Sequence, residues 1–168
     1  MSLNNSSRTV SKIWWTLLIA LCLMLEGVAL YYQYALDYLP CVLCIHVRMI
    51  VAAVLMIAVI GWLVAGSKPA SVSTLVINTG LWIWMIERSY QLLGTERGWI
   101  MGECAMESGL PSWLALERWF PWIFEIHEPC GYTPYMLFNI SMAEVLIVMS
   151  AVLSLVSIGM VIWVARSR

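Results

Sequence analysis

The sequence predicts an all-α membrane protein: a four-helix transmembrane bundle with a short interfacial helix in its second outer loop. Three observations carry that prediction. Of 168 residues, 62% are hydrophobic and 11% are charged, whereas soluble domains carry about 25% charge. Four apolar stretches, at about 13–34, 41–64, 72–93 and 143–164, each reach the ~20 residues a helix needs to cross ~30 Å of hydrocarbon. Basic residues gather at one set of their ends.

Helix is the natural form for each stretch, because lipid offers no water to backbone N–H and C=O groups. The first stretch exceeds the roughly 7–15 residues of a signal-peptide core, and no small-residue cleavage site follows it, so it reads as a span. Residues 1–168 form a single transmembrane domain, with loops at about 35–40 and 94–141. The formal net charge of −1 and the absence of a basic run point away from nucleic acid.

Orientation follows from lysine and arginine. Arg8 and Lys12 precede the first span, Lys68 separates the second from the third, and Arg166 and Arg168 follow the fourth. The positive-inside rule makes these ends, and both termini, cytoplasmic. The loop around Asp37 and the long loop 94–141 then face outward. The long loop holds only Arg97 and Arg118 as basic residues, against six glutamates.

The cysteines fall into place on this topology. Cys41 and Cys44 lie at the outer end of the second span, and Cys104 and Cys130 lie in the long outer loop. Four of the five therefore face a compartment where disulfides persist. Cys22 is mid-span and reads as a small buried hydrophobe.

The stretch PCVLCIHVR, 40–48, carries the chemistry. Pro40 suits a helix start. Cys41 and Cys44 then occupy the first turn, where unpaired N–H groups and the helix dipole favour a thiolate. Residues 41, 44 and 48 are spaced i, i+3, i+7 and share a face. Arg48 lies one turn deeper than Cys44, where it favours a Cys44 thiolate or holds an oxygen of a small acceptor. A charge at that depth marks a functional site; the plainer reading is an arginine snorkelling to headgroups. The spacing alone leaves other readings open. Four cysteines suit a tetrahedral zinc site, although Cys104 and Cys130 are not a close-spaced pair. Two structural disulfides are the better alternative, a bridge from Cys104 to Cys130 contributing ~3 kcal/mol on the chain-entropy account.

The loop stretch LPSWLALERWFPWIF, 110–124, is too short to span. Its tryptophans and aliphatics favour the membrane interface, which predicts a short surface helix bracketed by Pro111 and Pro121. An ordinary packed loop helix is the alternative. Cys104 and Cys130 flank it in Gly- and Pro-containing sequence.

Taken together, PCVLCIHVR, the cysteines at 104 and 130, and PSWLALERWFP resemble the DsbB family of bacterial inner-membrane thiol oxidases, over nearly the whole chain. The resemblance implies a cell-inner-membrane location in a Gram-negative bacterium, with the redox loops periplasmic. It implies that Cys104 meets the thiolate of a periplasmic DsbA-like thioredoxin-fold protein, forming a mixed disulfide. Cys130 matches its companion, which exchanges with Cys41. Cys44 matches the cysteine that meets a quinone ring, ubiquinone or menaquinone, and Arg48 the arginine beside it. Met142 matches a position near that quinone, a lipid-facing or core methionine being the plainer reading. DsbA-type proteins are strong oxidants, so their reoxidation needs an acceptor of still higher potential. Quinones dissolve in lipid while thiolates react in water, and a cysteine pair at the boundary joins the two media.

Several residues stand beside that pattern. Glu26 matches an acidic position of the family and reads as a partner of Arg48, a bundle-shaping residue or a protonated carboxyl. Glu87 and Arg88 read as interface anchors. His46 lies off the face of Arg48, and His127 reads as a loop residue. Val47 departs from the family pattern, in which an acidic residue precedes the arginine, and this bears on the polarity of the quinone site. Rival readings are a DsbB paralogue with a dedicated partner, a vitamin K epoxide reductase-like enzyme, and a non-enzymatic membrane protein with bracing disulfides.

Overall fold

A computed structural model describes residues 5–38, 40–100, 119–124 and 141–166. Four long helices carry the chain back and forth: α1 (Asn5–Ala35), α2 (Val42–Leu63), α3 (Lys68–Glu96) and α5 (Met142–Arg166). A single turn, α4 (Pro121–Phe124), precedes α5. All four long helices are long and apolar enough to cross a membrane. Two of them outrun their apolar stretches by several residues. In α1 the polar segment from Asn5 to Lys12 continues the helix, and α3 begins four residues before the expected 72. Hydropathy marks the part in lipid; hydrogen bonding carries the helix into water.

The packing runs in sequence, α1 on α2, α2 on α3, and α3 most extensively on α5. Trp15, Leu18 and Cys22 of α1 recur at i, i+3, i+7 and form one buried stripe. They meet Ile50, Val51, Val54 and Ala58 of α2, with Leu75, Trp82 and Met85 of α3 completing the core. The outward faces are also apolar. Leu17, Leu23, Leu63, Val148 and Leu155 are exposed, as lipid-facing side chains must be where the solvent is hydrocarbon.

Between α3 and α5 the seam is small and polar. Ser71, Thr74 and Asn78 are buried on α3, as are Ser150, Ser154 and Ser157 on α5. Small side chains let two helices approach closely, and side-chain hydrogen bonds join them. Asn78 Nδ2 donates to Ser157 Oγ at 3.0 Å. Thr74, Thr79 and Ser150 return their hydroxyl protons to carbonyls one turn back, at 3.0, 2.8 and 2.6 Å.

Local chemistry fixes the helix ends. Asp37, at φ 53°, follows α1 in the left-handed region, which aspartate tolerates better than most residues. Pro69 sits in the first turn of α3, where its missing N–H costs nothing. At the other end of α3, Gly98 turns left-handed at φ 72°. Its N–H meets Thr95 O at 3.2 Å and Trp99 N–H meets Gly94 O at 2.8 Å, the paired bonds of a Schellman cap. Ser141 and Glu144 cap α5 reciprocally, Glu144 N–H donating to Ser141 Oγ at 3.3 Å and Ser141 N–H to Glu144 Oε2 at 3.1 Å. Arg97 Nη2 reaches Glu144 Oε1 at 2.6 Å and ties α3 to α5.

Candidate functional site

Cys41 and Cys44 lie at the end of the bundle where α1 and α3 finish and α2 and α5 begin. The expectation that both occupy the first turn of α2 needs correction. Cys41 is the N-cap, with extended backbone (φ −84°, ψ 168°), and the helix starts at Val42. Pro40 accordingly sits one residue outside the cap. Cys41 Sγ takes the place that a serine or aspartate oxygen usually fills, accepting from Cys44 N–H at 3.3 Å. The two sulfurs are 2.6 Å apart, so the pair is adjacent without any movement of the backbone.

The sulfurs differ in access. Cys41 is 3% exposed, packed with Leu92 of α3 and Ala143 of α5, whereas Cys44 is half-buried. Met142 packs instead against the main core. At this helix start it is the neighbour, Ala143, that meets the cysteines.

Arg48 is buried on the inner side of the pair. It does not snorkel. Its Nη1 donates to Gln33 Oε1 at 2.5 Å and to Ile123 O at 3.0 Å, and its Nη2 donates to Ala29 O at 2.9 Å. A guanidinium has five N–H donors; these bonds leave the Nε donor and one on Nη2 unengaged by described residues. Cys44, Cys41, Tyr34 and Glu26 lie within electrostatic range of the cation. Glu26 forms no ion pair with Arg48 among the described residues, and its Oε1 is buried without a hydrogen-bond partner there.

The expected interfacial helix, bracketed by Pro111 and Pro121, falls almost wholly on residues that are not described. Residues 110–118 lie outside the described residues. Within 119–124, Pro121 is the first residue of α4, since proline suits a first helical position. Trp119, Phe120 and Trp122 are exposed, with the Phe120 and Trp122 rings edge-to-face at 5.9 Å. The backbone of α4 is what docks. Trp122 O accepts from the Tyr34 hydroxyl and, at 3.5 Å, from Gln33 Nε2, while Ile123 O accepts from Arg48.

Cys104 and Cys130 lie outside the described residues. Cys22 is fully buried in the core. Glu87, Arg88 and Gln91 form a chain along α3, Gln91 Nε2 donating to Glu87 Oε1 and Arg88 Nη1 to Gln91 Oε1, each at 3.2 Å; Arg88 also lies 5.9 Å over Trp84. The sequence reasoning passed over Gln33, Ala29 and Ala143. A signal for the first two was present: Cys22, Glu26, Ala29 and Gln33 share one face of α1 at i, i+4, i+7, i+11, placing two polar residues on the core stripe.

Fold and site together define a multi-pass helical membrane protein with a redox-spaced cysteine pair at one rim and a buried arginine beneath it. The family described as Disulfide bond formation protein DsbB matches residues 11–160, and the chain belongs to it. Similar proteins include Disulfide bond formation protein B of Vibrio alginolyticus, 30% identical over 161 residues, covering 90% of this chain and 93% of that one. The protein of that name from Histophilus somni is 31% identical over 142 residues, covering 82% and 78%. That of Mannheimia succiniciproducens is 30% identical over 146 residues, covering 84% and 80%.

Proposed function

We propose that the chain reoxidises a periplasmic thioredoxin-fold dithiol protein of the DsbA type. It passes the two electrons through two cysteine pairs to ubiquinone or menaquinone. One observation carries the reading: Cys41 and Cys44, with sulfurs 2.6 Å apart at the mouth of α2, stand over a buried Arg48. A pair that only braced a loop would not need a buried cation beneath it.

In this reading the partner's thiolate attacks Cys104 of a Cys104–Cys130 disulfide, and Cys130 leaves as a thiolate. The partner's second thiolate then displaces Cys104, so the partner departs oxidised and the loop pair holds two electrons. Cys130 attacks Cys41 of a Cys41–Cys44 disulfide, and Cys44 leaves as a thiolate. Cys104 displaces Cys41, which restores the loop disulfide and leaves Cys41 and Cys44 reduced. A bound quinone supplies a lipid-soluble sink for two electrons and two protons. The residues here suit such a group. Arg48 has N–H donors to spare for a carbonyl oxygen, Cys44 is half-buried, and Met142 stands at the same end of the bundle. Arg48 also balances negative charge on Cys44 when that sulfur leaves.

The orientation follows the same reading. The cysteine end faces the periplasm of a Gram-negative cell, and the end bearing Arg8, Lys12, Lys68 and Arg166 faces the cytoplasm, with both termini. The test is direct. Purified protein in lipid nanodiscs is expected to oxidise reduced DsbA-type protein only when a short-chain ubiquinone is present, and Cys44→Ser to abolish turnover. Oxidation independent of quinone, or none at all, overturns the reading.

A further inference from the structure

Gln33 closes a set of bonds that neither the cysteines nor Arg48 explain by themselves. It lies in the last turns of α1 and is 7% exposed. Both halves of its amide are engaged: Oε1 accepts from Arg48 Nη1 at 2.5 Å, and Nε2 donates to Trp122 O at 3.5 Å. Arg48 Nη1 also donates to the next carbonyl of α4, Ile123 O, at 3.0 Å. One side chain of α1 thus touches both the buried cation and the backbone of the surface helix, and the cation touches that same backbone.

We infer that Gln33 is a positioning residue whose Oε1 fixes the orientation of the Arg48 guanidinium and whose Nε2 helps to seat α4. This rests on the reading of Arg48 as the cation beside the electron acceptor. The guanidinium is a rigid planar fork, and its direction is set by where its acceptors lie. Of the three, Gln33 Oε1 and Ile123 O depend on the contact between Gln33 and α4, whereas Ala29 O is a backbone carbonyl of α1 that does not involve α4. Lifting α4 removes the Ile123 acceptor and the partner of Gln33 Nε2 in one motion. The arginine then keeps Ala29 O through Nη2, while Nη1 loses Ile123 O and is left on a Gln33 amide that is no longer anchored, so that this nitrogen is able to turn toward water. The loop that carries α4 thereby reports its position to the acceptor side of the bundle. Coupling of this kind is reciprocal: a ligand that holds Arg48 in place holds α4 down.

An amide is required because the position must both accept and donate. Leucine does neither. Glutamate accepts from Arg48 but cannot donate to Trp122 O. The two variants therefore separate the two halves of the role.

The experiment compares wild type, Gln33→Leu and Gln33→Glu in nanodiscs, with two readouts. One is the pair of KM values, for a short-chain ubiquinone and for the reduced DsbA-type protein. The other is amide hydrogen exchange in peptides covering residues 119–124. Gln33→Leu is expected to raise the ubiquinone KM about tenfold, the scale of one hydrogen bond to a charged group. The KM for the dithiol protein is expected to stay within about twofold. Exchange at 119–124 is expected to quicken in both variants, while Gln33→Glu returns the ubiquinone KM to within about threefold of wild type. An unchanged ubiquinone KM in Gln33→Leu, an equal rise in both KM values, or a failure of Gln33→Glu to restore it overturns the inference. So does unchanged exchange in both variants. If wild type itself shows no ubiquinone-dependent turnover, the proposed function fails, while the exchange readout still decides whether Gln33 seats α4.

Discussion

The backbone N–H of Cys44 donates to Cys41 Sγ at 3.3 Å, so a helix donor that usually finds an oxygen ends on a sulfur. Cys41 has two jobs, as cap and as half of the pair, and substitution separates them. Cys41→Ser and Cys41→Ala are both expected to abolish quinone-linked turnover. Serine keeps a cap acceptor, so only Cys41→Ala is expected to lose a further ~1 kcal/mol of stability, read as an earlier thermal transition in detergent. Equal stabilities would show that the sulfur does not cap α2.

Arg48→Ala is expected to act on the acceptor side. Loss of a cation held by three bonds predicts a rise of about 10- to 100-fold in apparent quinone KM. Single-turnover exchange between the dithiol protein and the loop disulfide is expected to be nearly unaffected. Arg48→Lys restores the charge but not the fork, and is expected to recover only part of the affinity. Slowed thiol exchange with unaltered quinone kinetics would refute the assignment.

Cys22 is fully buried beside Trp15 and Leu18, and far in sequence from the rim. Cys22→Ala is expected to retain turnover and to cost about 1 kcal/mol of stability or less, as a small core truncation. A substantial loss of activity would give Cys22 a redox role that its position denies.

Gly61 admits the Trp15 ring. A Cβ at Gly61 would lie 2.4 Å from Trp15 Cε2, inside any permitted contact, and Trp15 is fully buried. Gly61→Ala is expected to destabilise by about 1–3 kcal/mol through overpacking. Trp15→Phe in the same chain makes room and is expected to recover part of the loss, a non-additive pair measurable by a double-mutant cycle.

Gly98→Ala tests the end of α3. An L-residue at φ 72° costs roughly 1–2 kcal/mol. Thermal unfolding is expected to shift accordingly, and an unchanged transition would show that the Schellman cap contributes little.

Much of the fold was legible because membrane crossing leaves a coarse mark. Four apolar runs of sufficient length read as helices in lipid; three lie wholly inside theirs, and the second, 41–64, exceeds α2 by one capping residue at each end. Their ends were less legible: α1 begins at Asn5 and α3 at Lys68 because hydrogen bonding continues past the hydrocarbon. The Ser141–Glu144 capping box was readable as S-x-x-E and was passed over. The cysteine motif was readable because its parts lie within one or two helical turns, where spacing fixes the shared face.

Partners distant in the chain were not readable in the same way. Nothing in the spacing says that Arg48 donates to Gln33, Ala29 and Ile123 rather than pairing with Glu26, or that Ala143 rather than Met142 lies on the cysteines. The sequence by itself determined the number of spans, the rim where the sulfurs sit and the depth of the arginine, because hydrophobicity and helical period act on neighbours in the chain. Only the tertiary structure decided which acceptors hold Arg48, how far Cys41 is covered and where α4 rests. Those depend on the rotation of each helix against the next, which is set by the fit of all the side chains at once.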